Sequence, residues 1–157
     1  MNPNRILNLL EKVRNKKISP QKALENLKKL PFENLGFAKV DHHRHLRKGF
    51  PEVIYAPGKT LQQIIKIAQS IKTNGSDVFI TRAEVDVYKA VKKNFPKAEY
   101  NPLAKGIVVR VSNRKKKKVG NILIVSAGTA DLPVAEEAAL TAEVMGNKVE
   151  RVYDVGV

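Results

Sequence analysis

The chain contains no Cys and no Trp among its 157 residues, and only nine residues are Phe or Tyr. Without Cys there is no disulfide scaffold, no thiolate metal site and no thiol nucleophile within these residues. No apolar run approaches the roughly 18 residues of a membrane span, and the N-terminus lacks a signal-peptide core. With 43% hydrophobic and 28% charged residues, the composition predicts a soluble cytoplasmic protein without a membrane partner.

Acidic residues are also scarce, and they are unevenly placed. Residues 1–118 hold 27 Lys and Arg against 9 Asp and Glu, a balance of +18, whereas residues 119–157 hold 2 against 6, a balance of −4. The change falls at five consecutive cations, Arg114 to Lys118, which repel one another and cannot be buried. We interpret residues 113–118 as a linker or hairpin tip. A nucleic-acid patch is the alternative, but no aromatic residues interleave with the cations, so we expect no nucleic-acid partner.

Apolar spacing and end signals predict an α/β fold. Ser19-Pro20 and Thr60 are typical helix starts, while Asn74-Gly75 and Gly146-Asn147 are typical helix ends. Residues 36–58 follow neither period and suggest short strands joined by ordered loops. The pattern predicts helices over residues 3–15, 19–30, 60–73, 83–94 and 132–145, and strands over 77–81, 106–111, 121–126 and 148–154.

The order of these elements predicts two domains. Residues 1–112 form a small N-terminal α/β domain in which strand 77–81, its helix and strand 106–111 make a parallel-type unit. Residues 119–157 form the first βαβ unit of a Rossmann-like parallel sheet. Strand 121–126 is apolar without alternation, which is typical of a strand covered on both faces. An edge without a neighbour would favour association with other chains, so we expect a homo-oligomer.

The loop Ser126-Ala-Gly-Thr-Ala-Asp131 is the first candidate site. Gly128 and its small neighbours, including Ala130, allow close approach of a ligand, and the helix that follows offers free N–H groups to an anion. Thr129 adds a hydroxyl donor, and Asp131 can hold a ribose hydroxyl or a metal ion. The loop is neither a dinucleotide glycine fingerprint nor a Walker loop. A plain helix N-cap at Asp131 is the structural alternative.

Asp41-His42-His43-Arg44-His45, followed by Arg47, is the second candidate site. Three imidazoles could ligate a transition metal, but their spacing is poor for a helical site and no Cys completes a set, so we predict no metal site. Arg44 and Arg47 are better suited to bidentate contacts with a carboxylate or phosphate. Thr81-Arg82 follows a strand at the edge where ligands approach parallel sheets. A surface salt bridge is the alternative for each Arg.

Several longer motifs resemble a known family. The motifs are Asp41 to Tyr55, Gly58-Lys59-Thr60, Thr81-Arg82, Ser126 to Asn147 and Asp154 to Val157. They resemble the pyridinium biscarboxylic acid mononucleotide synthases of nickel-pincer cofactor synthesis. The second part of that family is similar to phosphoribosylaminoimidazole carboxylase of purine synthesis, whose phosphate loop corresponds here to Gly128 through Pro133.

The resemblance implies a reaction. Nicotinic acid adenine dinucleotide is carboxylated on its pyridinium ring with CO2 or bicarbonate, and its phosphoanhydride is hydrolysed to release AMP, with Mg²⁺ at the phosphates. A thiolate adds to the ring, so that the ring carbon becomes nucleophilic. The correspondence assigns nucleotide binding to Ser126, Gly128, Thr129, Ala130 and Asp131, with Arg44, Arg47, Lys59 and Arg82 as further anion-binding candidates.

The resemblance also places the catalytic Cys after Val157. We therefore expect the chain to be inactive alone, as a fragment, a split subunit or a truncated reading of a longer gene. A purine-type carboxylase or mutase is the alternative enzyme; residues 36–82, which the purine enzymes lack, argue for the synthase family. A third hypothesis is a non-catalytic module that binds a nucleotide or nucleic acid.

Overall fold

The computed structural model describes residues 3–28, 32–42, 44, 48, 50, 52–111 and 118–156. The predicted linker is outside this part of the chain except for Lys118, as are His43, His45 and Arg47. In chain order the elements are α1 (Pro3–Arg14), α2 (Pro20–Lys28), β1 (Phe32–Asn34), β2 (Lys39–Asp41), β3 (Val53–Tyr55), α3 (Leu61–Thr73), β4 (Val78–Thr81), α4 (Val85–Asn94), β5 (Glu99–Asn101), β6 (Gly106–Val109), β7 (Asn121–Val125), α5 (Leu132–Val144) and β8 (Lys148–Val152). Mixed helices and strands confirm the α/β class.

The two leading helices pack mainly against each other. Ser19 caps α2, since its hydroxyl accepts a hydrogen bond from the Lys22 N–H at 3.1 Å. Leu7, Leu10 and Leu24 each keep more than half of their surface exposed. The apolar faces that the sequence pattern predicts are therefore largely uncovered by the described residues.

A four-stranded sheet in the order β3-β4-β6-β5 forms the centre of the first part. β3 and β4 run parallel and are joined through α3, which makes this the parallel βαβ unit. The prediction that strand 77–81 and strand 106–111 form a parallel unit is wrong, because β4 and β6 are antiparallel. The cause is β5, which pairs with β6 as an antiparallel hairpin and reverses the chain direction before β6 begins.

The hydrophobic core lies between this sheet and helices α3 and α4. Thr60 begins α3 with a capping box, in which its hydroxyl accepts from the Gln63 N–H and the Gln63 side chain accepts from the Thr60 N–H. Gly75 ends the helix in the left-handed conformation at φ +77°. The most deeply buried members of the core are Val40, Ile54, Ile64, Ala68, Ile71, Val78, Ile80, Ala83, Val91, Ala98, Ile107 and Val109.

The last 39 residues contain a second sheet, in which β7 and β8 run parallel and α5 connects them. This confirms the predicted βαβ unit. The expectation that its first strand is covered on both faces is wrong for the described residues, because Leu123 and Val125 are 57% and 55% exposed. The face with Ile122 and Ile124 is the one that α5 covers.

Helix α5 also contacts the first sheet at strand β6. Gly106 makes room for this contact, since a Cβ atom there would collide with Cδ2 of Leu140. No helix in the described part of the chain is long and apolar enough to cross a membrane.

Candidate functional site

The residues between β7 and α5, Ser126 to Asp131, form a tight turn that we name the Ser126 loop. Thr129–Asp131 is a single 3-10 turn that continues into α5 at Leu132. The Asp131 N–H donates to the Gly128 carbonyl at 3.1 Å, and Asp131 Oδ2 accepts from the Gly128 N–H at 3.3 Å. Asp131 occupies the N-cap position of α5, as the structural alternative predicts, but it makes no side-chain cap hydrogen bond to that helix and its carboxylate instead shapes the turn.

Ser126 directly follows β7 and is the first residue of this loop. Its residue surface is 8% exposed, and its hydroxyl is buried without a hydrogen-bond partner among the described residues. An unpaired buried hydroxyl costs about 1–3 kcal/mol, so it is a feature that requires an explanation.

The upper surface of the loop is open. Thr129, Ala130 and Asp131 are exposed, and a Cβ at Gly128 would meet only Asp131 Oδ2, at 3.8 Å. The absence of a side chain at Gly128 therefore leaves space above the backbone. Because α5 has 13 residues and begins here, the positive end of its dipole favours an anion in that space, although Pro133 has no N–H and the Leu132 N–H already donates to the Thr129 carbonyl.

The segment after β8 lies against the same loop. The Val155 N–H donates to the Ser126 carbonyl at 3.3 Å, and the Gly156 N–H donates to the Ala127 carbonyl at 2.9 Å. A Cβ at Gly156 would lie 2.7 Å from the Ala127 oxygen, so only Gly allows this approach. The loop and the segment after β8 thus form one edge of the second sheet.

A buried carboxylate beneath this edge was missed by sequence reasoning. Glu136 of α5 is 8% exposed and accepts from Asn101 at 2.9 Å, from Arg151 Nε at 2.9 Å and from the Tyr153 hydroxyl at 2.7 Å. We name these four residues the Glu136 cluster. The available signal was position, because Glu136 lies on the same helical face as the buried Ala135 and Ala139.

Charge and hydrogen bonding explain how the Glu136 cluster tolerates burial. Burial alone raises the pKa of Glu136, but the hydrogen bonds from Tyr153 and Asn101 and the charge of Arg151 outweigh it, and the pKa lies below its ordinary value. Arg151 also pairs with Glu143 at 2.8 Å, and this pair raises the Arg151 pKa. The cluster joins α5 and β8 to Asn101 of the first sheet.

Among the described candidates for anion binding, Arg82 contacts the helix that follows the loop. It follows β4 and has a left-handed backbone at φ +49°. The next residue is held by its N–H to the Lys105 carbonyl at 2.7 Å. Arg82 Nε lies 3.5 Å from Glu137 Oε1, and Glu137 is six residues from Asp131, which is about 9 Å along a helix.

Lys59 and Arg44 lie elsewhere on the first part of the chain. The Lys59 ammonium donates to the Tyr55 carbonyl at 2.8 Å, at the carboxyl end of β3. Arg44 is exposed, with its guanidinium 5.3 Å from the ring centre of Phe50. The structure shows no contact of either residue with the loop, and Arg47 lies outside the described residues.

His42, one of the three histidines considered for metal binding, belongs to a buried polar network. Its Nε2 lies 3.0 Å from Glu33 Oε2, and Ser70 donates to the same carboxylate oxygen at 2.5 Å. These contacts, from Ser70 first and His42 second, lower the Glu33 pKa. Among the described residues no group of three His, Cys, Asp or Glu side chains could hold a metal ion. The network fastens the β1–β2 hairpin to α3.

Comparison with known protein families gives a match over residues 32–114 to the LarB/PurE-like N-terminal domain. The matched residues are just over half of the chain and include β1 through β6. The chain belongs to this family. The match confirms the resemblance drawn from the motifs, and it falls on the part of the chain that the purine enzymes are expected to lack.

A curated protein is also similar in sequence to this LarB/PurE-like chain. The uncharacterized protein MJ0165 of Methanocaldococcus jannaschii is 36% identical over 125 residues, which cover 76% of this chain and 48% of the relative. The chain thus spans about half the length of the curated relative it matches.

Proposed function

We propose that this LarB/PurE-like chain binds a nucleotide phosphate at the Ser126 loop and serves in nickel-pincer cofactor synthesis. The reaction would be carboxylation of nicotinic acid adenine dinucleotide with CO2 or bicarbonate, together with hydrolysis of its phosphoanhydride to AMP. Membership of the family and the motifs of the sequence support this assignment.

The single observation that carries the proposal is the unpaired Ser126 hydroxyl beneath an open turn at a helix N-terminus. The fold retains a buried polar group that no described residue satisfies. A phosphate at the loop would accept from the N–H groups of Thr129 and Ala130, because those of Gly128 and Asp131 already donate within the turn, and it would lie next to the positive end of α5. Arg82, which reaches the second turn of α5, would add a cation at the same edge.

The residue types present determine which steps of the reaction these 157 residues could perform. In the resembled family a thiolate adds to the pyridinium ring, and none of the 157 residues is Cys. We therefore assign binding and orientation of the dinucleotide to these residues and assign no covalent step to them.

Magnesium fits the loop only as a shared ion. Mg²⁺ commonly uses one or two carboxylates together with substrate phosphates instead of an all-protein cage. Asp131 is exposed at the loop, and its second carboxylate oxygen makes no hydrogen bond to a described residue. Asp131 would hold the ion against a bound phosphate, and the ion would neutralise phosphate charge.

Calorimetric titration with nicotinic acid adenine dinucleotide tests the proposal. We expect wild type to bind and Asp131→Ala to bind roughly tenfold more weakly, because the turn loses its internal hydrogen bond and the carboxylate. Asp86→Ala is the matched control, since Asp86 is the acidic residue in the first turn of α4. Equal dissociation constants for wild type and Asp131→Ala would refute binding at the loop.

The purine-type alternative makes a different prediction in the same experiment. An aminoimidazole ribonucleotide carboxylase would bind aminoimidazole ribonucleotide in preference to the dinucleotide. We expect the reverse order of affinity for this chain.

A further inference from the structure

We propose that Asp154 binds the ribose hydroxyls of the nucleotide whose phosphate occupies the Ser126 loop. This inference rests on the proposed function and names the residue that recognises the sugar. The ligand class is a ribose 5-phosphate unit, which both halves of a dinucleotide contain.

The topology places Asp154 at the ligand-binding edge. β7 and β8 are parallel neighbours with Val125 paired to Val152, so the residues that follow both strands emerge together. In open α/β sheets, ligands bind outside the carboxyl ends of the strands. In dinucleotide-binding sheets, an acidic residue roughly 20 residues beyond the glycine loop binds a ribose hydroxyl. Asp154 is 26 residues beyond Gly128 and is the second residue after β8.

Two backbone hydrogen bonds hold this acidic residue beside the loop. Val155 and Gly156 donate to the carbonyls of Ser126 and Ala127, and the close approach at Gly156 excludes any larger residue. Tyr153, on the other side of Asp154, donates its hydroxyl to Glu136. The residues on both sides of Asp154 are therefore held in place, which favours a defined position for its backbone.

The buried Ser126 hydroxyl, which also supports the proposed function, is a second sign of a ligand at this edge beside the position of Asp154. Side chains alternate along β7, so Ser126 shares the α5-covered face with Ile122 and Ile124. Its side chain is thus buried on the side of the second sheet that α5 covers. Within the described residues this hydroxyl has no partner.

Asp154 itself is available for a ligand. It is exposed, and it makes no ion pair with any residue that the structure describes. Its backbone is left-handed at φ +59°, an uncommon conformation that Asp and Asn tolerate better than most residues. A carboxylate accepts hydrogen bonds from both hydroxyls of a ribose but repels a phosphate, so Asp154 fits the sugar and not the phosphate.

The test compares ribose 5-phosphate, 2-deoxyribose 5-phosphate and inorganic phosphate in NMR titrations of the whole chain. We expect wild type to prefer ribose 5-phosphate over the deoxy sugar by about tenfold, the loss of one charge-assisted hydrogen bond. Asp154→Asn preserves the left-handed backbone and should reduce this preference to about twofold or less. Inorganic phosphate should bind the variant as well as wild type or better, because a negative charge is gone.

Asp154→Gly separates recognition from backbone strain. Gly adopts φ +59° freely, so this variant should be at least as stable as wild type while it also loses the ribose preference. Suppose that ribose 5-phosphate and inorganic phosphate both bind, that 2-deoxyribose 5-phosphate binds as well as ribose 5-phosphate, and that Asp154→Asn leaves the affinity for ribose 5-phosphate unchanged. The ribose inference is then wrong, and the phosphate site stands. If none of the three probes binds, the proposed function fails and the inference fails with it.

Discussion

At the residue scale, the most informative group is a hydroxyl that forms no hydrogen bond. Ser126 is buried at the end of β7, and its Oγ has no partner in the described part of the chain. A fold selected only for stability would place an Ala there, because an apolar group of similar size avoids the desolvation cost. Replacing Ser126 by Ala should therefore affect folding stability and ligand binding in opposite directions.

Ser126→Ala should therefore raise stability and lower affinity. We expect the free energy of unfolding in urea to rise by about 1 kcal/mol, since the unpaired hydroxyl is removed. Affinity for nicotinic acid adenine dinucleotide should fall several-fold in calorimetry. Ser70→Ala is the control, because the Ser70 hydroxyl is paired with Glu33, and its loss should destabilise the chain. A Ser126→Ala variant that is less stable and binds equally well would contradict this reading.

Glu136 predicts a pH dependence of stability. Its pKa is lowered in the folded chain, so its favourable contribution is present above the ordinary value of 4.5 and is lost as the pH falls through the folded pKa. Glu136→Gln should flatten the fall in unfolding free energy below about pH 4.5, as measured by urea titrations at several pH values. Glu33→Gln should flatten it as well, because the pKa of Glu33 is also lowered. An unchanged pH profile for Glu136→Gln would show that the Glu136 cluster carries no such linkage.

At the element scale, the structure confirms most of the helices and strands that the sequence predicts. Thr60 and Asn74-Gly75 fixed both ends of α3, and Gly146 with φ +94° ended α5 as expected. β5 was missed because Glu99-Tyr100-Asn101 is three residues long and shows no apolar run. Since β5 reverses the chain, missing it also gave the wrong direction to β6. The parallel pair was instead β3 and β4, whose first strand lies in a segment without clear periodicity.

The site was predictable where it depends on contiguous residues and not where it depends on tertiary contacts. The Ser126 loop was identified from its small residues between a strand and a helix. The Glu136 cluster brings together positions 101, 136, 151 and 153. The helix pattern indicates that Glu136 is on a buried face, but no local pattern predicts its three partners. The contact of Arg82 with Glu137 is equally unpredictable from local sequence, because it joins residues 55 positions apart.

The packing of α5 on β6 gives a prediction for a pair of elements. Gly106→Ala should destabilise the chain by about 1–3 kcal/mol, because the added methyl collides with Leu140. Combining it with Leu140→Ala should cost less than the two single changes added together, since the second change opens the space that the first one fills. Urea unfolding of wild type, the two single variants and the double variant gives a double-mutant cycle. Strict additivity would contradict the contact between α5 and β6.

At the scale of the whole molecule, charge and apolar surface are both uneven. The first part of the chain carries +18 and the last 39 residues carry −4. β7 exposes Leu123 and Val125, and an open groove of about 460 Å³ lies between Ile122 of β7 and the outer residues of α5, including Val134 and Met145. An exposed apolar strand face is a surface for association.

We expect self-association through the β7 face that carries Leu123 and Val125. Light scattering should show a mass that rises with concentration, and Leu123→Lys combined with Val125→Lys should keep the chain monomeric. Leu7→Lys combined with Leu10→Lys is the matched control on α1, where both leucines are exposed and outside the second sheet. A monomer mass for the wild type at all concentrations would argue against association.

The most direct test of nucleotide binding at the Ser126 loop is an amide NMR titration with nicotinic acid adenine dinucleotide. Binding at the loop predicts the largest chemical-shift changes at Gly128, Thr129 and Ala130, which should persist at 0.5 M salt. Shifts confined to the basic residues 1–118 and abolished by that salt would mean that the chain attracts a polyanion through charge alone. That result would contradict a nucleotide site at the Ser126 loop.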